Sequence, residues 1–185
     1  MPFTDTEFPG LKIYEPRLFH DERGYFFESY SRRQFEEAGV DIHFVQDNQA
    51  RSVYGVLRGL HYQKKPHAQT KLIRVLEGEI IDVVVDLREG SPAYGKAFSI
   101  LLSAENKKQL LVPRGFAHGY AVISPTAEVL YKCDEFYHRD QEGGIRYNDP
   151  SLQIDWGIPL QEAIVSGKDM VQPLLADAVP GFVFG

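Results

Sequence analysis

The feature that most narrows the possible folds is a succession of short β-type runs, each closed off by Gly or Pro. Residues 80–87 read Ile-Ile-Asp-Val-Val-Val-Asp-Leu. That run is crowded with β-branched side chains, the pattern of a strand with both faces largely covered. The run 72–76 leads into it through Glu77-Gly78, a turn signal. Ser91-Pro92 and Gly95 mark the next turn before 97–102. Residues 110–112 stop at Pro113-Arg114-Gly115, and 119–124 and 128–133 follow. Strands at this spacing predict an antiparallel sandwich or barrel. The lack of alternating strand–helix units argues against a doubly wound nucleotide fold. Neither GxGxxG nor GxxxxGK[ST] occurs, so a bound nucleotide would be held by side chains rather than by a glycine loop.

One early segment reads as helix. Ser31 with Gln34 three residues on has the form of a capping box, and Gly39 after Ala38 is a natural stop. The C-terminal segment, 157–185, is rich in Pro and Gly and predicts turns and short helices packed on the barrel. No repeat, low-complexity tract or linker divides the 185 residues, so residues 1–185 are expected to form one domain. The net charge of −6 argues against a nucleic-acid or acidic-membrane partner, although a few local Arg and Lys residues can still hold a phosphate. A single cysteine, Cys133, excludes an intrachain disulfide and fits a reducing compartment. No basic and apolar leader opens the chain, and no run approaches 18 apolar residues. A cytoplasmic location is the expectation.

The densest polar stretch is Gln46-Asp47-Asn48-Gln49, followed by Arg58-Gly59-Leu60-His61-Tyr62-Gln63. Gly55-x5-His61-x-Gln63 and Pro113-x-Gly115-x2-His118 resemble degraded forms of the two metal-binding motifs of the cupin superfamily. Gln63 stands where the second histidine of the first motif is sought, and His67 stands where its acid is sought. Two separated histidines without a carboxylate are a poor site for a divalent ion, so neither metal nor other cofactor is expected there.

A closer resemblance is carried by an ordered set of strings. They are Arg23-Gly24-Tyr25-Phe26-Phe27-Glu28, Gln46-Asp47-Asn48, Arg58-Gly59-Leu60-His61, Lys71-Leu72-Ile73-Arg74-Val75, Val112-Pro113-Arg114-Gly115-Phe116-Ala117-His118-Gly119, Tyr131-Lys132, Asn148-Asp149-Pro150 and Ser166-Gly167-Lys168-Asp169. Together they are similar to the dTDP-4-dehydrorhamnose 3,5-epimerases, from about Phe3 to Asp169.

The resemblance implies an all-β, cupin-like antiparallel sandwich or jelly-roll barrel with a few short helices. It implies a dTDP-linked 4-keto-6-deoxyhexose as substrate, whose C3 and C5 hydrogens flank the ketone and leave an enolate when removed. The implied base is His61, a histidine being suited to proton transfer near neutral pH, oriented by Asp169. Lys71 would stabilise the enolate oxygen, a role worth roughly 3–4 kcal/mol by analogy with an oxyanion-hole donor. Tyr131 would return the proton to the opposite face. For binding, the resemblance points to Arg23, Phe26 and Glu28 from a partner subunit, and to Gln46, Asn48, Arg58, His118, Tyr137, Glu142 and Lys168. It thereby implies a homodimer with shared sites formed by exchange of N-terminal strands.

Taken singly, most of these residues have plainer readings. His61 could be a strand histidine satisfied by a carbonyl, Lys71 a solvated edge residue, and Asp169 a helix cap. His118 reads as a binding or enolate-stabilising group more than as a proton carrier. His20, His43, His67 and His138 carry no matched role and read as structural, and Cys133 as a small hydrophobe. A single-centre epimerase, or a ketoisomerase on a related 4-keto sugar nucleotide, would use much the same residues and stays open. A cupin-type binding module without turnover is a further alternative; the combination of His61, Lys71 and Tyr131 speaks against it.

Overall fold

The structure, a computed structural model, describes residues 2–185. Its elements follow the punctuation of the sequence. The chain opens with β1 (Phe3–Asp5), β2 (Lys12–Tyr14), β3 (Phe19–Asp21), β4 (Gly24–Phe26) and the helix α1 (Arg32–Glu37). The main strands are β5 (Gln46–Val53), β6 (Val56–Gln63), β7 (Lys71–Glu77), β8 (Glu79–Asp86), β9 (Arg88–Glu89), β10 (Ala97–Ser103), β11 (Gln109–Val112), β12 (Phe116–Val122) and β13 (Thr126–Cys133). The C-terminal region adds β14 (Glu142–Gly144), β15 (Ile164–Val165), the one-turn α2 (Gly167–Met170) and β16 (Phe182–Val183), with short 3-10 turns between them. Among the described residues no helix is long and apolar enough to cross a membrane.

Two sheets face each other. The first runs β1-β2-β11-β7-β13-β5; the second runs β10-β8-β12-β6-β14, with β15 joining β6 in parallel. All neighbours on these two paths are antiparallel, which is the expected all-β, cupin-like sandwich. Alternation along β8 explains its unbroken apolar run. Ile80 and Val84 point between the sheets, against Ile73, Val75 and Val129. Val83 and Val85 point the other way, under a layer formed by Leu152, Trp156, Ile158 and Phe182 of the C-terminal region. Both faces of the strand are therefore buried, as its composition requires. The outer face of the first sheet is covered by Phe35 and Val40 of the α1 region, on Tyr14, Leu72 and Leu111.

The helix itself departs from expectation at its start. Ser31 is the N-cap residue, but its side chain makes no capping hydrogen bond. The Gln34 amide donates instead to the Glu28 carboxylate, so the capping box does not form; the buried face through Phe35 holds the helix. Its end is as predicted, with Gly39 at φ +76. At the N-terminus β1 pairs with β2 and β2 with β11, and the β3–β4 hairpin forms a small sheet apart from the two main ones.

The pairing of β6 with β12 carries an irregularity that matters for the site. His118 pairs with His61, but Tyr120 pairs with Arg58, so β6 holds one extra residue at Gly59-Leu60. A period-2 strand would send residues 58 and 61 to opposite faces. The extra residue brings both to the inter-sheet face, while Leu57, Leu60 and Tyr62 go to the outer layer. The crossing is tight: a Cβ on Gly119 would lie 2.6 Å from the Arg58 carbonyl oxygen and 3.0 Å from Gly59 Cα. Gly119→Ala must therefore push the two backbones apart. We expect a loss of about 1–3 kcal/mol, the usual cost of overpacking, read from urea midpoints; an unchanged midpoint would refute the close-approach argument.

Candidate active site

The space between the sheets changes character where polar side chains replace the apolar core. From the second sheet come Arg58, His61 and His118, and from the first come Lys71 and Tyr131. Register explains the grouping. Across the first sheet Lys71, Cys133 and Gln46 form one row, and Ile73, Tyr131 and Asn48 the next. Lys71 and Tyr131 are thus diagonal neighbours, with the ammonium 5.8 Å from the phenol ring centroid. In the second sheet His61 and His118 lie side by side.

Two adjoining cavities meet on His61, Lys71 and Tyr131, which line both. The smaller, about 240 Å³, is walled by Gln46, Asn48, Gln63, Gln69, Tyr137 and Glu142. The larger, about 530 Å³, is walled by Arg58, His118, Lys168 and Asp169 together with Val56, Leu57 and Tyr120. Arg23, Phe26 and Glu28 line neither. Arg23 pairs with Asp21 on the projecting β3–β4 hairpin, where Phe26 is 67% exposed, and Glu28 accepts the Gln34 amide near α1.

Each histidine has a carboxylate. His61 Nε2 lies 2.5 Å from Asp169 Oδ1. Asp169 is delivered by β15, which runs beside β6, and by the single turn of α2. Its backbone amide is capped by Ser166 Oγ at 3.2 Å, and its second oxygen accepts from the Gly59 N–H at 3.4 Å. Burial alone would raise the Asp169 carboxyl, but the hydrogen bond and charge of His61, with the Gly59 and Ser166 bonds, hold it below the usual carboxylate range. His118 Nε2 lies 2.8 Å from Asp82 Oδ2. Asp82 is fully buried, and among the described residues its Oδ1 has no hydrogen-bond partner.

The first sheet supplies the complementary groups. Burial pulls the Lys71 amine below its ordinary value, against the opposing pull of Cys133, Asp82 and Glu142. Burial also pushes the Tyr131 phenol up to about 12, so it carries its proton at neutral pH. Glu142 forms an ion pair with Lys168 and accepts from Tyr137 Oη at 3.2 Å. Gln46 accepts from the Tyr137 N–H at 3.2 Å and donates to Asn48 at 2.9 Å. Arg58 reaches Ser52 Oγ at 3.3 Å, and its charge faces the larger cavity.

Gln63 is not turned toward the histidines. Its amide is spent on the backbone of His67, Phe136 and His138. Among the described residues His61 and His118 belong to no group of three or more His, Cys, Asp or Glu side chains whose ligand atoms lie within 4.8 Å of one another. Sequence reasoning missed Asp82 and Gln69. The signal for Asp82 was an acid at an inward position of the buried run Ile80-Ile81-Asp82-Val83-Val84, where an unpaired carboxylate would be costly.

The sequence profile of the dTDP-4-dehydrorhamnose 3,5-epimerases matches residues 5–177. The chain belongs to that family. A family member from Pseudomonas aeruginosa is 52% identical over 180 residues, covering 96% of this chain and 98% of the relative. The crystal structure of the enzyme from Elizabethkingia anophelis NUHP1 is similar with a TM-score of 0.91 at 53% identity, over 95% of this chain and 96% of that one. The Legionella pneumophila epimerase, solved in complex with dTDP-4-keto-L-rhamnose, is similar with a TM-score of 0.90 at 46% identity, over 95% and 93% of the two chains.

The Asp169 pair has a consequence for folding. The folded carboxyl titrates below the unfolded value of about 3.9, so between the two values the unfolded chain binds more protons and stability rises with pH. The contribution is complete above the unfolded value and is lost as pH falls through the folded one. Asp169→Asn should flatten the acid limb of a stability–pH curve; an acid limb identical to that of the parent chain would contradict the assignment.

Proposed function

We propose that this chain is a 3,5-epimerase of dTDP-4-keto-6-deoxy-D-glucose, giving dTDP-4-keto-L-rhamnose, with protons moved by side chains alone. The observation that carries the reading is the cleft between the sheets. His61 with its carboxylate stands on one wall, and Lys71 with protonated Tyr131 on the other, all three lining both cavities. Removing a proton from C3 or C5, beside the C4 ketone, needs a base, a partner for the enolate oxygen and an acid on the opposite face; inversion follows when abstraction and return use different faces. A neutral imidazole held by Asp169 accepts the proton, and the carboxylate stabilises the imidazolium that results. The Lys71 ammonium, which reaches both cavities, is drawn to the enolate oxygen as charge develops there. Tyr131 delivers the proton that completes inversion.

The larger cavity suits the anionic half of such a substrate. Arg58 and Lys168 contribute cations to its lining, and charge-assisted bonds to phosphate are the strong ones. His118, fixed by Asp82 on the same wall, serves as a donor to the sugar or its enolate. Gln46, Asn48, Tyr137 and Glu142 supply hydrogen bonds along the smaller cavity. The relative solved with dTDP-4-keto-L-rhamnose supports the same ligand class here. The chain works in the cytoplasm as a homodimer, with Arg23, Phe26 and Glu28 presented to the partner's cleft. The projecting hairpin and its exposed Phe26 support that arrangement.

The test is turnover in deuterated solvent. We expect label at both C3 and C5 of the dTDP-linked sugar, and label at one carbon only would favour a single-centre epimerase. His61→Ala should lower kcat by about 10²–10⁴. Tyr131→Phe should still exchange label while losing inversion; equal loss of exchange and inversion would remove Tyr131 from the acid role.

The shared site has its own test. His61→Asn chains and Arg23→Ala chains, each impaired alone, should regain activity when mixed, because some mixed dimers hold one intact cleft. Absence of complementation in a sample whose mass is twice the 21.0 kDa chain would place all working residues of a cleft on one subunit.

A further inference from the structure

Outside the cleft, among the described residues, one other cluster brings together chemically capable side chains. His67, in the loop between β6 and β7, meets Glu135 and His138 in the loop after β13, with their ligand atoms all within 4.8 Å of one another. The two imidazoles stack with ring centroids 3.5 Å apart and planes inclined by 19°. All three residues are half-buried.

The backbone under this cluster is held unusually well for two loops. Gln63, 5% exposed, donates from one amide nitrogen to the carbonyls of His67 at 2.7 Å and Phe136 at 3.0 Å, and accepts from the His138 N–H at 2.6 Å. Gln69 donates to the Glu135 carbonyl at 2.8 Å. One buried amide therefore fixes both histidine backbones, and a second fixes the acid. Glu135 Oε1 accepts its neighbour's N–H at 2.9 Å, leaving Oε2 as the available donor.

We propose that His67, Glu135 and His138 form a binding site for one divalent transition-metal ion of the zinc type, at the rim of the smaller cavity. Two imidazoles and a carboxylate are a donor set for Zn²⁺ and its neighbours, and leave one or more positions for water. Donors around a tetrahedral ion with bonds of about 2.1 Å stand about 3.4 Å apart, so the triad needs a contraction on the order of 1 Å. The rings must also rotate out of their stack, because parallel rings aim their lone pairs side by side rather than at one point. Both are side-chain movements; the backbones already stand in place. The ion would tie the two loops together next to Tyr137, which walls the cavity. Its role is a staple, separate from the proton-transfer residues.

The experiment uses the full chain, treated with chelator and then titrated with Co²⁺. We expect one Co²⁺ per chain with a ligand-field absorption band, displaced by Zn²⁺, and a Zn²⁺-dependent rise in Tm. Glu135→Gln, close to isosteric, and His138→Ala should each weaken binding at least tenfold, whereas His61→Asn and His118→Asn should leave stoichiometry and affinity unchanged. Failure of the parent chain to bind a stoichiometric ion overturns the proposal. So does binding that survives both rim substitutions, or that disappears with His61 or His118. Tm of the metal-free variants shows whether each is folded, and if His138→Ala is not, Glu135→Gln decides.

Discussion

The active cleft depends on how closely β6 and β12 cross at Gly59 and Gly119. A single extra residue in β6 turns Arg58 and His61 to the same side of the sheet, and the absence of side chains at the crossing lets the backbones approach. Without that shift, either the histidine or the arginine would face the C-terminal layer. The same segment then reaches Asp169 through the Gly59 N–H, so one local irregularity sets His61, its carboxylate partner and the Arg58 wall of the cavity. A β-bulge beside a working site is a device for aiming a side chain, and here it aims two.

Gathering so many titratable groups between two sheets is costly unless each has a partner. The solution is pairwise. His61 has Asp169, His118 has Asp82, and Lys168 has Glu142. Among the described residues Lys71 has no carboxylate within bonding distance, and nearby groups act on it only through space. Like Arg58, which reaches only the Ser52 hydroxyl, it lines the cavity without an ion-pair partner. The unspent oxygen of Asp82 adds to the field that keeps an ammonium tolerable there. Tyr131, by contrast, is held protonated by the same burial that makes Lys71 uneasy. Desolvation acts in opposite directions on an acid that is neutral and a base that is charged, and the cleft exploits both.

The apolar architecture was open to sequence reasoning because it obeys a simple period. The runs 80–87 and 128–133 lie where β8 and β13 are, and the segment 157–185 packs mainly as short turns and helices. β5 was hidden for a physical reason: both its faces are polar. Asp47, Gln49 and Arg51 make bonds on the outside to Lys132, Glu128 and Glu77, while Gln46 and Asn48 face the cavity. No hydrophobic alternation survives to mark such a strand. The capping box at Ser31 failed because a short motif cannot show that Glu28 lies within reach of Gln34. The choice of His61, Lys71, Tyr131 and Asp169 came from resemblance. The sequence by itself did not show that they share one space; Arg23, Phe26 and Glu28, which the resemblance gave to a partner subunit, line neither cavity of their own chain.

Gln63 shows why a substituted motif position can be more than a loss. Read beside His61, it is a histidine missing from a metal set. In the fold its side chain turns away from His61 and His118 and fastens the loops of His67, Phe136 and His138. A histidine there could not make those three bonds at once, since an imidazole has two nitrogens and the amide supplies two N–H donors and a carbonyl. The exchange therefore does two things together. It takes a histidine out of the row that holds His61, and it fastens the rim where Tyr137 and Glu142 line the cavity. The missing motif ligand and the ordered rim are consequences of the same residue.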